Sequence, residues 1–202
     1  PWVFWLPLLA AVAVMTTGRW PNLRESLSLL FGVALFLIVL SIAVTLGDAD
    51  TPYWSLAEPG FGFILALKAE PLGILFALIA SFLWPVTTLY AIGYMRAHNE
   101  EHQTRFYTAF AVAIAAVMGI AFAADMLTLF IFYELITVAT YPLVTHAGTP
   151  EAKRAGRLYL GVLMSTSVLL MMMAMALRIV QMLFRQMLVN LLILMVMALT
   201  TF

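Results

Sequence analysis

One acidic residue, Glu134, lies near the middle of the apolar stretch 126–141. A charged side chain at the centre of a membrane-spanning helix costs about 2.5–3.5 kcal/mol on insertion scales. Membrane proteins that keep such a group commonly use it to move ions or protons, or to bind a buried partner. Glu134 is therefore the first candidate for a functional residue, as a carboxylate that takes up and releases a proton. The alternative is a neutral glutamic acid that is hydrogen-bonded and structural.

Two hydroxyl side chains follow Glu134 at helical spacing. A helix through this stretch places Thr137 and Tyr141 on the same face as the carboxylate, one and two turns further along. His146 follows at the end of the predicted helix, where an imidazole can exchange protons with bulk water. The spacing predicts a proton-transfer group of Glu134, Thr137, Tyr141 and His146.

A second acid, Asp125, precedes Glu134 by nine residues. Nine steps of about 100° leave the two carboxylates on opposite sides of a helix, so they are poor candidates for a paired acid/base site. Asp125 stands where the helix begins, and we expect it to cap the helix N-terminus.

The next apolar stretch opens with Lys153, Arg154 and Arg157. A basic flank on the cytoplasmic side of a span accounts for Lys153 and Arg154. Arg157 is the deepest of the three, and it either shares that role or reaches toward a proton path or a lipid phosphate. Further along, Ser165 and Ser167 either allow close helix packing or bind water that leads to Glu134.

The composition is that of a protein that crosses the bilayer several times. Of the 202 residues, 64% are hydrophobic and 10% are charged, and the mean hydropathy is +1.04, whereas ordinary globular proteins carry about 25% charged residues. The net charge is zero, so nucleic acid is not an expected partner. Cysteine is absent, which excludes disulfides, thiolate metal sites and cysteine-ligated clusters. We expect no metal and no cofactor.

The apolar stretches predict an all-α bundle of transmembrane helices that forms a single membrane domain, 1–202. A span needs about 20 apolar residues. Because apolar sequence begins at residue 1, we expect an incomplete span there rather than a cleaved signal peptide. Nothing marks a turn near 178–185, so one long helix, a surface helix and a junction with missing residues all remain open. The predicted spans are 1–17, 26–46, 71–95, 106–123, 126–146 and 157–177, with 186–202 as an optional seventh.

The connections between the spans are polar, and the first is predicted at 19–25. Gly148, Thr149 and Pro150 predict the end of one helix and a capped start of the next. In the longest connection, 47–70, large apolar residues alternate over 61–67, which is a weak signal for a β-hairpin. Most basic residues fall after the first, third and fifth spans, which predicts an N-terminus outside the cell. These basic residues are Arg19, Arg24, Arg96, Arg105, Lys153, Arg154 and Arg157.

Several motifs resemble those of the Mrp-type cation/proton antiporter subunits, a family that includes the antiporter-like subunits of respiratory complex I and of membrane-bound hydrogenases. The stretch ADMLTLFIFYEL at 124–135 is similar to the glutamate-bearing span of that family. YAIGYM at 90–95 is similar to the end of its third span. YPLVTH at 141–146 and EAKRAGRLYL at 151–160 continue the match. The resemblance extends over residues 60–177 and is nearest to the D-type subunits.

The resemblance implies a proton-translocating subunit of a larger complex. Its expected partners are other membrane subunits, protons, a cation such as Na⁺, and lipid, in a bacterial inner membrane or an organellar inner membrane. In the family, the glutamate that matches Glu134 works with a lysine on a later, broken helix. After Arg157 the only cations of this sequence are Arg178 and Arg185. We therefore expect either a fragment or a short subunit that a neighbour completes.

Three functions are consistent with these observations. The first is a proton-conducting antiporter-like subunit in which Glu134 changes its protonation state, a transporter subunit rather than an enzyme in itself. The second is a non-conducting scaffold in the membrane part of such a complex, which the missing lysine helix favours. The third is an intramembrane enzyme that acts on a lipid or isoprenoid, which the opposed Asp125 and Glu134 disfavour.

Overall fold

The structure, a computed structural model, describes residues 2–45, 53–60, 63–98, 100–146 and 148–200. Within these ranges, six helices and one β-hairpin follow one another, so the predicted helical membrane fold is confirmed and gains a hairpin. By length and hydropathy, five of the described helices, α2 to α6, can cross a membrane. The elements are α1 (Trp2–Thr16), α2 (Pro21–Thr45), β1 (Tyr53–Gly60), β2 (Phe63–Lys68), α3 (Pro71–His98), α4 (Gln103–Ala121), α5 (Met126–Val144) and α6 (Pro150–Thr200).

The observed helix boundaries correct the predicted spans at two places. Helix α2 begins at Pro21 rather than at 26, because proline suits the first position of a helix. Arg24 and Glu25, which the sequence assigned to a loop, are therefore helical. Helix α6 extends over 51 residues. The optional seventh span at 186–202 is thus not a separate helix over its described part.

Helix α4 is the element against which the others pack. It contacts α1, α3 and α5, and 50% of its apolar stretch is buried, against 22–28% for α2, α3 and α5. Small side chains allow neighbouring helices to approach closely in a membrane. The small buried residues of α4 are Ala109, Ala111, Ala113, Ala115, Ala116 and Gly119.

One aromatic side chain, Phe132 of α5, joins three helices. Its ring lies against Gly119 of α4, where a Cβ atom would overlap the ring carbons. The same ring meets Phe4 of α1 edge to face, with the ring centroids 5.1 Å apart, a favourable arrangement for aromatic pairs. The position of α5 in the bundle therefore depends on a glycine at residue 119.

The connections after α1, α3 and α5 lie together at one end of the bundle. Arg24, near the start of α2, donates a hydrogen bond to Thr104, near the start of α4, at 3.0 Å. Arg105 donates to the carbonyl oxygen of His146, at the end of α5, at 3.1 Å. The basic loops therefore share one end, which we call the charged end. The side of the membrane that it faces stays a prediction.

The β-hairpin lies at the opposite end and is bonded to the turn between α4 and α5. The N–H of Lys68 donates to the carbonyl of Phe122 at 2.7 Å, and the N–H of Ala124 donates to the carbonyl of Ala66 at 3.0 Å. The predicted hairpin is confirmed for the described residues, while 61 and 62 lie outside the described ranges. These bonds satisfy backbone groups that the end of a helix leaves unpaired.

The connection between α5 and α6 follows its sequence signals. Gly148 has a φ of +70°, which glycine adopts without steric cost. The Thr149 hydroxyl accepts a hydrogen bond from the N–H of Ala152 at 3.1 Å, and α6 starts at Pro150. The helix start up to Gly161 belongs to the first structural unit, and the part from Val162 forms a second unit that we describe by itself.

We expect Gly119→Ala to destabilise the bundle by about 1–3 kcal/mol, the usual range for an overpacked core, because the added methyl group meets the Phe132 ring. Thermal unfolding in detergent, followed by circular dichroism, measures this loss. Gly93→Ala is the matched control, since a Cβ at Gly93 meets no atom within 4 Å. Equal melting temperatures for the two variants would contradict the contact between α4 and α5.

Candidate functional site

Glu134 lies in the middle of α5, at membrane depth if the helix crosses the bilayer. Its side chain is half-buried, and its Oε2 atom is shielded from solvent. Thr137, Tyr141 and Thr145 follow at i+3, i+7 and i+11, on the same side of the helix. We call these four residues the Glu134 face. The structure thus brings together three of the predicted proton-transfer residues, Glu134, Thr137 and Tyr141.

A capped N-terminus holds α5 in place. The Oδ1 atom of Asp125 accepts from the N–H of Thr128 at 2.9 Å, and Oδ2 accepts from the Thr128 hydroxyl at 2.7 Å. The hydroxyl of Thr128 in turn accepts from the N–H of Ala66 in β2 at 3.2 Å. Asp125 is therefore a helix cap that also links α5 to the hairpin. It lies about 14 Å from Glu134 along the helix axis, so the two acids do not form one site.

The hydroxyl groups of the Glu134 face are hydrogen-bonded to their own helix. Thr137 is buried, and its hydroxyl donates to the carbonyl of Tyr133 at 3.0 Å. The Thr145 hydroxyl donates to the carbonyl of Tyr141 at 2.9 Å. A hydroxyl that donates its proton to a carbonyl keeps its oxygen lone pairs for accepting a proton or a water. Thr137 can therefore serve as an acceptor next to Glu134.

The beginning of α6 covers the end of the Glu134 face. Gly156 is buried there, and a Cβ at this position would overlap the methyl group of Thr145 and lie 3.1 Å from Cε2 of Tyr141. A glycine therefore allows the two helices to meet at Tyr141 and Thr145. The Glu134 face therefore contacts α6 at Tyr141 and Thr145.

His146 lies at the charged end, away from Glu134. Its ring packs edge to face against Phe106, with the centroids 5.9 Å apart. Both ring nitrogens are shielded and have no hydrogen-bond partner within the part of the chain that the structure describes. Twelve residues separate His146 from Glu134, which corresponds to about 18 Å along a helix. His146 therefore cannot exchange a proton with Glu134 without intermediate groups.

The remaining predicted residues lie elsewhere. Lys153, Arg154 and Arg157 are exposed side chains at the start of α6. In the second unit, the Ser165 hydroxyl lies 3.5 Å from the carbonyl of Val162, and the Ser167 hydroxyl donates to that of Leu163 at 3.0 Å. These serine contacts are within α6 itself.

A buried ionic cluster at the charged end was missed by the sequence reasoning. Arg24 and Glu25 are each only 4% exposed, and Glu25 forms salt bridges with both Arg24 and Arg96. Arg24 also donates to the side-chain carbonyl of Gln103 at 2.7 Å. We call Arg24, Glu25 and Arg96 the Arg24 cluster. Pro21 was the signal that could have found it, because a helix starting there carries Arg24 and Glu25 into the bundle.

A cleft of about 500 Å³ lies near the charged end between α1, α4 and α5. Its α5 side is formed by Ala139 and Pro142, which are not on the Glu134 face. The cleft is therefore separate from the candidate proton-transfer residues. Its lining is Met15, Thr104, Arg105, Thr108, Ala109, Val112, Ala139 and Pro142.

Sequence comparisons relate part of the chain to a sodium/proton antiporter. No protein-family model matches the chain. A segment of 114 residues, 56% of the chain, is 26% identical to the Na⁺/H⁺ antiporter subunit A1 of Staphylococcus aureus strain bovine RF122 / ET3-1. The same subunit of strains JH9 and Newman matches with the same identity and coverage. The matched segment is 14% of the length of these relatives.

The fold is similar to that of a respiratory membrane protein. A chain of the membrane-bound sulfane sulfur reductase, an archaeal respiratory membrane complex, superposes with a TM-score of 0.66. The superposition covers 79% of this chain and 32% of that one, at 21% identity. At this identity the match shows a shared fold and not a shared activity. The predicted resemblance to antiporter subunits is confirmed at the level of sequence similarity to an A1 subunit.

We expect Asp125→Ala to lower the stability of the protein by about 1 kcal/mol, the typical loss for a removed N-cap, because the N–H and hydroxyl of Thr128 lose their acceptor. Asp125→Asn keeps one acceptor oxygen and is expected to lose less. Thermal unfolding measures both variants. A larger loss for Asn than for Ala would show that Asp125 is more than a cap.

Proposed function

We propose that the chain is a proton-translocating, antiporter-like membrane subunit of a multisubunit cation/proton antiporter or a complex I-related assembly. Glu134 is its switching carboxylate. The observation that carries the proposal is a half-buried carboxylate in the middle of a helix that can cross a membrane, with Thr137 and Tyr141 on the same side of that helix. The named relatives support the class, since the similar proteins are an antiporter subunit and a chain of a respiratory complex.

The proposed mechanism rests on the charge of Glu134. The protonated side chain is the form that a low-dielectric environment tolerates, and the deprotonated side chain attracts water or a cation. A proton that leaves Glu134 meets Thr137 and then Tyr141 on the same face. His146 is the last titratable group of the path, at the charged end, and Arg157 near the start of α6 modulates it through its charge.

The partners follow from the same proposal. Other membrane subunits surround the chain, and lipid covers its outward faces. A cation such as Na⁺ is the ion exchanged for protons, because the relatives are named Na⁺/H⁺ antiporter subunits. A D-type position in the assembly and a location in the bacterial inner membrane are part of the proposal. In the family that the chain resembles, the glutamate works with a lysine. Residues 158–177 contain no Lys or Arg, so in this proposal the positive charge comes from another part of the protein or from another subunit.

A non-conducting scaffold is the second candidate. The observation that favours it is the close contact of Gly156 with Thr145 and Tyr141 of α5, which is a packing contact between helices. In a scaffold, Glu134 is protonated and hydrogen-bonded throughout, and the close contact of Gly156 with α5 serves assembly.

Glu134→Gln is expected to lower the rate of proton-coupled cation exchange by at least about 100-fold, the lower end of the contribution of a general acid or base. The reason is that the amide of glutamine cannot bind and release a proton. The measurement is exchange in inverted membrane vesicles that contain the assembled complex. Glu151→Gln, which alters an exposed acid, is the matched control. Normal exchange by Glu134→Gln in a fully assembled complex would overturn the proposed transport function and favour the scaffold.

Gly156→Ala is expected to weaken the packing of α6 on α5, because its methyl group overlaps Thr145. The melting temperature should fall by several degrees, as about 1–3 kcal/mol of overpacking implies. Gly161→Ala is the control, since a Cβ there meets no atom within 4 Å. If both variants melt together with the unchanged protein, α6 does not pack on α5 at Gly156.

A further inference from the structure

We propose that a water-accessible crevice enters the bundle at the Arg24 cluster and follows the inner face of α3 to Trp84. Its ligand is a chain of water molecules, which gives protons access to the interior on a route that does not include Glu134. The inference stands independently of the proposed function, because it depends on other residues of α2, α3 and α4.

The mouth of the crevice is the Arg24 cluster, which is exposed to solvent at Arg96 and buried at Arg24 and Glu25. The side chain of Arg96 is 52% exposed, whereas the Glu25 carboxylate to which it is bonded is 5% exposed. Arg24 is equally buried, and its guanidinium carbon lies 5.1 Å from the centre of the Tyr107 ring. Charged groups thus continue from the exposed Arg96 through Glu25 to Arg24, which lies beside the Tyr107 ring.

Polar groups continue inward from this mouth on the face of α3 that turns toward the bundle. Thr88 and Trp84 lie on this face, and each is 1% exposed. The Thr88 hydroxyl and the Trp84 indole nitrogen have no hydrogen-bond partner among the described residues. Tyr107 of α4 packs with Ala91 and Met95 of the same face, and its hydroxyl has no partner in the described part of the chain either.

Buried polar groups without a hydrogen-bond partner favour a hydrated site over a dry one. A buried polar group left without a partner costs about 1–3 kcal/mol, and such groups in natural proteins are normally paired with protein or ordered water. A buried water typically makes about three hydrogen bonds to otherwise unpaired polar groups. The Nε atom of Arg24 is a further buried donor without a partner in the described ranges. Four such groups on adjoining helices therefore favour hydration.

The row of polar groups from Arg96 to Trp84 is long enough to give protons access to the interior of the bundle. Arg96 and Trp84 are twelve residues apart, about 18 Å along a helix, which is more than half of the roughly 30 Å hydrocarbon core of a membrane. The two arginines and one glutamate of the mouth carry a net positive charge, which disfavours entry of a metal cation. Water, which is neutral and small, is the ligand that this chemistry admits.

Reactivity of a single thiol toward methyl methanethiosulfonate, a small and neutral reagent that the positive mouth does not repel, tests the crevice, since the chain has no cysteine. Thr88→Cys is nearly isosteric and places the thiol in the proposed water file. Leu89→Cys, at a site that is 60% exposed on the outer face, and Ala77→Cys, in the apolar core and 0% exposed, are the controls. The protein in lipid vesicles is exposed to the reagent for increasing times and is then denatured. Thiols that have not reacted are alkylated at that stage, and the loss of alkylation with time gives the rate of the first reaction.

We expect the Thr88→Cys thiol to react at least tenfold faster than both control thiols. Rates equal to that of Ala77→Cys would show a dry interior and overturn the proposal. Hydrogen exchange of the Trp84 indole N–H in D₂O, assigned by its loss in Trp84→Phe, repeats the test on the unaltered chain. A proton there that outlasts those of buried helix amides would also overturn it, whereas exchange at least tenfold faster than those amides supports it.

Discussion

The close contact between α4 and α5 is the constraint on which the rest of the structure depends. Because Gly119 has no side chain, the Phe132 ring packs directly on α4 and reaches Phe4 of α1. Close by, at the turn between α4 and α5, Asp125 caps α5 through Thr128, and Thr128 accepts a hydrogen bond from the β2 strand. The two contacts hold α5 at both its depth and its rotation, and so they determine where Glu134 points. A packing contact between apolar residues thereby positions the polar one.

The chain accommodates buried charge in two different ways. In the Arg24 cluster, opposite charges lie within hydrogen-bond distance of each other and share neutral partners such as Gln103. Such a network is costly to break, since removal of one charge leaves the other buried without compensation. Glu134 instead lies in the middle of α5, and the hydroxyls of Thr137 and Tyr141 follow it on the same side of the helix. The first arrangement favours a fixed structure, whereas the proposed function gives Glu134 a change of protonation state.

Much of the helical architecture was predictable, because membrane spans and their caps depend on local sequence. The apolar stretches predicted the helices, Asp125 and Thr149 predicted caps that the structure shows, and the alternation over 61–67 indicated the hairpin. Pro21 could have placed Arg24 and Glu25 on a helix, but the cluster itself was not predictable, since its partner Arg96 is 71 residues from Glu25 in the sequence. His146 lies about 18 Å from Glu134 along the helix, and its part in proton transfer stays a prediction. The bonding of the hairpin to the α4–α5 turn likewise depends on residues far apart in sequence.

The central claim is that Glu134 changes its protonation state within the membrane. Infrared difference spectroscopy of the membrane-embedded protein during a pH titration measures this directly through the carbonyl band of a protonated carboxyl group. The account predicts a band that is present at low pH, is lost as the pH rises, and is missing from Glu134→Gln at every pH. A titrating band that persists unchanged in Glu134→Gln, or a Glu134 band that does not respond to pH, would contradict it.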